Sequence, residues 1–257
     1  MKNRFRLTLC IIILLFTAIG PVYSQNNVTI PGFPFVDFNV REAETNQEVA
    51  LSIQLLLLLS VLTLAPSLII LTTCFLRIAI VFDFIKRALS LQQVPPTTVL
   101  MGIALFLTIF IMWPTFTQMY DEGFAPFAAE EIGIDALYTK VEGPLRMFMF
   151  RQLEGDYENI RLFMTMQDLP KPQTDLDVPT YILIPAFVLH ELTYAFKIGI
   201  LLFIPFIVID MVVASTLMSM GMIMLPPVMI SMPFKLIVFV LADGWDLIVR
   251  KLIESFG

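Results

Sequence analysis

The sequence predicts an all-α, membrane-associated fold of long, proline-kinked helical hairpins with a small acidic helical segment outside the membrane. Three observations carry that prediction. Of 257 residues, 58% are hydrophobic and 15% charged, against about 25% charged in ordinary soluble domains, and mean hydropathy is +0.83. Uncharged apolar runs long enough for a bilayer recur along the chain, and acids concentrate in one stretch, 121–177. A globule of this size has too little interior for so much apolar surface, which excludes a soluble cytosolic enzyme and a disordered chain. The formal net charge of −6 offers no electrostatic footprint for nucleic acid.

Residues 1–24 read as a cleavable signal peptide. Lys2, Arg4 and Arg6 precede an uncharged run from Leu7 to Ile19 that is too short to cross about 30 Å of hydrocarbon. Gly20 and Pro21 break it, and Val22 and Ser24 provide the exit. A short N-terminal anchor is the alternative reading. Cleavage after Ser24 would remove three bases and no acids, and would leave the new N-terminus near Gln25 outside the cytoplasm. Residues 25–48 form a polar, acidic external lead-in punctuated by Pro31, Gly32 and Pro34.

Residues 49–120 are expected to form a first helical hairpin. No charge interrupts Val49–Leu76, and Leu55–Leu59 is unbroken leucine, the pattern of a membrane span or a wholly buried helix. A basic turn near 77–90 follows, with Arg77, Lys86 and Arg87 against Asp83. Positive-inside bias puts it in the cytoplasm. Residues 88–120 are uncharged again. The segment 121–177 holds twelve acids and five bases and belongs on the external side. Within it Phe150, Leu153, Tyr157, Ile160 and Met164 step as one helix stripe, expected to pack a small cap on its own core, with a specific partner surface as the alternative.

Residues 178–257 make the second hairpin. Glu191, Lys197, Asp210 and Lys235 interrupt its apolar stretches, as do Pro185, Pro205, Pro226, Pro227 and Pro233. Each such charge costs about 2.5–3.5 kcal/mol at mid-bilayer depth on insertion scales, so these helices are expected to face protein or a water-filled path. Asp210 and Lys235 flank an uncharged segment. A fold-back at the helix-breaking Gly221 and Pro226-Pro227 would bring them level. The pair reads as an assembly clamp, or else as a proton or ion relay.

Six methionines, Met218, Met220, Met222, Met224, Met229 and Met232, fall within fifteen residues. Flexible thioethers fill irregular gaps and re-pack easily, which suits a deformable seal and equally suits ordinary packing. Soft sulfur also binds Cu(I), so a small-solute or copper transporter is a second function class. Enzyme chemistry has no visible carrier: no phosphate-binding loop, no nucleophile elbow, no metal-ligand spacing. The single histidine, His190, beside Glu191, reads as a helix-surface or interface pair. No cofactor and no metal site is expected.

Several strings in order carry a resemblance. Phe75-Leu76-Arg77-Ile78 leads to Arg87-Ala88-Leu89 and Leu91-Gln92-Gln93-Val94-Pro95-Pro96. Ile184-Pro185-Ala186-Phe187 precedes Glu191-Leu192 and Phe203-Ile204-Pro205-Phe206, ending at Ile209-Asp210. Gly221-Met222-Ile223-Met224-Leu225-Pro226-Pro227 leads to Pro233-Phe234-Lys235 and Asp243-Gly244-Trp245. From about residue 50 to 256 the chain resembles the FliP family, export-gate subunits of the flagellar type III secretion apparatus; injectisome subunits are close relatives. The resemblance implies a bacterial inner-membrane subunit that assembles as a five-membered homo-oligomeric ring with FliQ and FliR. Its helices would wind around a channel for unfolded axial flagellar proteins. It also implies a methionine-loop gate at Met220, Met222, Ile223 and Met224, hinged by Gly221, Pro226 and Pro227, with Pro95 and Pro96 breaking the first hairpin. Asp210 and Lys235 match charged positions of the family, and Glu191 and Arg77 are further assembly charges. Ile223 stands where a third consecutive methionine is expected, Ser90 where glycine is usual, and His190 where a small polar residue is.

Overall fold

The computed structural model describes residues 46–91, 94–222 and 225–257, with side chains from Val49 onward. The signal-peptide and lead-in expectations, and Gln92, Gln93, Ile223 and Met224, lie outside the described residues. Two compact units divide the chain, Met1–Gln54 and Leu55–Gly257. Of the first, only the opening turns of one helix are described; the second holds the rest of that helix and all the others.

Every regular element among the described residues is helical. Helix α1 spans Asn46–Leu71 and α2 Phe75–Ala88; α3, Thr97–Met119, runs through a π-turn, Tyr120–Phe124, into the short α4, Ala125–Ala128. The acidic segment supplies α5, Ile134–Gln152, and α6, Glu158–Met166. The last third is α7, Thr180–Ser219, then α8, Pro227–Leu241, and α9, Gly244–Glu254. Three stretches are long and apolar enough to cross a membrane: Val49–Leu71, Thr97–Ala128 and Thr180–Ser219. The pair α8 and α9, bent by 64°, makes a fourth if it counts as one span.

The long apolar helices differ in what they bury. Leu55–Leu59 of α1 all stay exposed, as a helix apolar on every side does when its solvent is lipid. Helix α2 instead buries one stripe, Ile78, Val81, Phe82 and Ile85, against α7 and α3. Gly199 of α7 makes room for the Phe84 side chain, because a Cβ there would sit 2.5 Å from its ring. Helix α7 adds Ile182, Leu183, Ala186, Phe187 and Ala195 to the same core, with the Phe187 ring edge-on to Phe148 of α5. At forty residues and 1.5 Å per residue it is about 60 Å long, roughly twice the hydrocarbon thickness. Much of it therefore lies beyond any single bilayer crossing.

Two expectations change. The stripe from Phe150 to Met164 is not one helix. Helix α5 ends at Gln152, Glu154 and Gly155 turn the chain with φ of 50° and 81°, and α6 restarts at Glu158. Leu153, Ile160 and Met164 are nonetheless buried in the main core, because the turn re-aims α6 along α7. Most of the 77–90 segment, expected as a basic turn, is helix α2, and the turn proper begins at Leu89.

Candidate functional site

Helices α7 and α8 pack as an antiparallel hairpin, and its tip carries the methionines. The chain leaves α7 through two hydrogen bonds, Met222 N–H to the Leu217 carbonyl and Gly221 N–H to the Met218 carbonyl, each 3.0 Å. That pattern needs a left-handed residue after the helix, and Gly221 supplies it at φ 76°. Pro226 precedes α8 and Pro227 opens it, where a missing N–H costs nothing. Met220 is 70% exposed and Met222 half-buried. Ile223 and Met224 fall between the described residues. In the first hairpin, Pro95 follows a cis peptide bond and Pro96 immediately precedes α3.

Below the tip, Lys235 Nζ lies 2.6 Å from Asp210 Oδ2. The lysine side chain is 1% exposed, yet its ammonium is fully used. It also donates to the Ala88 carbonyl at 3.1 Å and to Ser90 Oγ at 3.0 Å. Asp210 Oδ1 accepts from Ser231 Oγ at 2.5 Å. A buried ammonium with three acceptors for its three protons is a satisfied group, and one whose loss of a partner is costly.

A second buried charge cluster joins elements far apart in sequence. Arg77 of α2 donates Nε to Glu191 Oε2 at 2.8 Å and Nη2 to Glu191 Oε1 at 2.5 Å. Its remaining donors reach the Ser255 carbonyl at 2.7 Å and Gln152 Oε1 at 3.2 Å. Tyr194 and Phe256 sandwich the guanidinium, with ring centroids 4.3 and 3.9 Å from Cζ. Gln152 also donates to the Phe256 carbonyl at 3.2 Å. Gln152, Tyr194, Ser231 and Ser255 were missed in the sequence. Isolated polar side chains leave no periodic signal, and only their position beside a buried charge marks them.

His190 does not pair with its neighbour Glu191, because successive residues on a helix point about 100° apart. Its Nδ1 instead lies 3.6 Å from Asp156 Oδ2, and the ring stacks on Tyr194. Cys74, buried between α1 and α2, donates to the Thr108 carbonyl at 3.9 Å, and burial pushes its thiol up to about 12. Such a thiol is inert as a nucleophile or soft ligand. No group of three or more His, Cys, Asp or Glu that could hold a metal occurs among the described residues. A cleft of about 1040 Å³ opens beside α5, lined by Glu122, Lys140, Glu142, Arg146 and Leu176. Arg146 there is committed to Thr180 and to the Asp175 and Val178 carbonyls, so it is not free for a ligand.

Sequence comparison adds relatives to this geometry. The FliP family model matches residues 58–252. The flagellar biosynthetic protein FliP of Treponema pallidum (strain Nichols) is 63% identical over 223 residues, which is 87% of this chain and 82% of that protein. That of Treponema denticola is 59% identical over 240 residues, 93% of this chain and 89% of the relative. The Bacillus subtilis (strain 168) protein of the same name is 48% identical over 218 residues, 85% and 98% of the two chains.

Proposed function

The chain belongs to the FliP family, and from that premise we propose that it is a channel-forming, non-enzymatic subunit of the flagellar protein export gate. The relatives' shared name supports a role in flagellar biosynthesis, and three bilayer-length apolar helices support a membrane site. In the proposed assembly, several copies, five by the family resemblance, form a ring with FliQ and FliR in the bacterial inner membrane. Signal-peptide cleavage precedes assembly, the acidic segment 121–177 faces the periplasm, and unfolded axial flagellar proteins pass through.

One observation carries the gate reading: exposed Met220 and half-buried Met222 lie at the tip of a hairpin whose base is held by buried Lys235 paired with half-buried Asp210. A stiff base and a soft tip are the two parts a deformable seal requires. Copies arranged around an axis would present Met220, Met222 and Met224 as a collar. A narrow apolar constriction excludes water and ions by dewetting, and unbranched thioethers move aside and close around a passing chain. The seal matters because a protein-wide hole would dissipate a membrane potential worth about 2.3 kcal/mol per charge at 100 mV. Conductance of the reconstituted complex with Met222 and Met224 replaced tests the reading. A leak from complexes of normal yield is expected, and normal yield without a leak rejects it.

A further inference from the structure

Helices α2 and α7 end in the same hydrogen-bond pattern with different residues at the position that defines it. At the end of α7 the left-handed residue is Gly221. At the end of α2, Leu91 N–H donates to the Lys86 carbonyl at 3.0 Å and Ser90 N–H to the Arg87 carbonyl at 2.9 Å. The left-handed residue there is Ser90, at φ 60°. Glycine is the usual occupant because a Cβ makes this conformation costly. A serine in its place has a backbone cost and a hydroxyl to show for it.

That hydroxyl accepts from Lys235 Nζ at 3.0 Å, beside the Ala88 carbonyl at 3.1 Å. These are the two hydrogen bonds by which Lys235 reaches outside the α7–α8 hairpin. Its third, to Asp210, and the Ser231–Asp210 bond stay inside it. Movement of the hairpin as a unit would keep the inner bonds and must break the outer two. The turn that receives them is itself tied down, since Lys86 Nζ donates to Thr97 Oγ1 at the start of α3 at 2.9 Å.

We propose that Ser90 is a positioning residue that latches the α7–α8 hairpin to the end of α2 through Lys235, and that breaking this contact releases the hairpin for opening. The second clause rests on the gate reading above; the first does not. Three substitutions separate the hydroxyl from the backbone. Ser90→Gly removes both the hydroxyl and the left-handed penalty. Ser90→Ala removes the hydroxyl and keeps the penalty. Ser90→Asn keeps an acceptor oxygen on a residue that tolerates the conformation.

The measurements are amide hydrogen exchange along 227–241 and dye leak, both on the membrane complex purified with its co-expressed neighbours. Exchange should rise about tenfold in both the Gly and the Ala variant, as for loss of one hydrogen bond to a charged group, and leak should rise with it. The Asn variant should stay within about twofold of wild type on the same scale. If Ser90→Gly protects the hairpin as well as wild type and only Ser90→Ala loosens it, backbone conformation alone matters and the latch is overturned. Raised exchange without leak, together with tight Met222 and Met224 variants, would uphold the latch and reject the gate reading instead.

Discussion

The Arg77 guanidinium grips the Glu191 carboxylate through two parallel hydrogen bonds, at 2.8 and 2.5 Å, across 114 residues of sequence. Both side chains are buried, and the same guanidinium holds the Ser255 carbonyl. One residue thus ties α2, α7, the end of α5 and the C-terminal residues into a single junction.

Removing one partner of that pair leaves a buried charge alone, which costs about 3–5 kcal/mol. Glu191→Ala and Arg77→Ala are each expected to reduce recovered complex sharply. Arg77→Met with Glu191→Leu should recover more than either single change, because the stranded charge is gone. Arg77→Lys should behave like a loss, since an ammonium cannot reproduce the two-pronged contact. Yield and thermal unfolding of the purified complex read all four; a double variant no better than the singles would contradict the pairing.

The pair between Asp210 and Lys235 should show the same signature at the hairpin. Asp210→Ala strands an ammonium that is 1% exposed and is expected to lower complex recovery. Adding Lys235→Met should partly restore it. Equal loss in the single and double variants would show that the charges act separately.

Gly199→Ala tests the contact between α2 and α7. Its new methyl would fall 2.5 Å from the Phe84 ring, and overpacking of this kind costs typically about 1–3 kcal/mol. Phe84→Leu in the same chain should relieve it. A Gly199→Ala variant with wild-type thermal stability would mean that the helices separate easily here.

Cys74 gives a pH expectation. Its thiol is raised from 9.0 to about 12, mainly by burial, so the folded state keeps a proton that the unfolded chain releases. This group's contribution is complete below pH 9 and is lost as pH rises from there towards 12. Stability should therefore fall less steeply above pH 9 in Cys74→Ala than in wild type. Parallel declines would place the thiol in contact with water.

The sequence reveals the parts of this fold that leave a one-dimensional trace. Uncharged runs mark the apolar stretches of α1 and α3. The fold-back between Asp210 and Lys235 is legible because Gly221 and Pro226-Pro227 punctuate an otherwise uncharged segment. The Arg77–Glu191 junction is not legible, since nothing local links two charges on different helices. Periodicity misleads between Phe150 and Met164, where the spacing continues in phase through a turn. Glu154-Gly155-Asp156 was the breaker signal there. The contact from Lys235 to Ser90 depends on a left-handed turn that only the backbone displays.

The most direct test of the gate is electrical. Complexes carrying Met222→Ala and Met224→Ala, reconstituted in a planar bilayer at 100 mV, are compared with wild type at matched protein content. Wild type should be silent, the double alanine variant should conduct steadily, and double leucine should stay sealed while slowing export, because a branched side chain adapts less readily than a thioether. A double alanine complex that assembles at wild-type yield and remains silent would show that these methionines only pack, and that the channel is closed elsewhere.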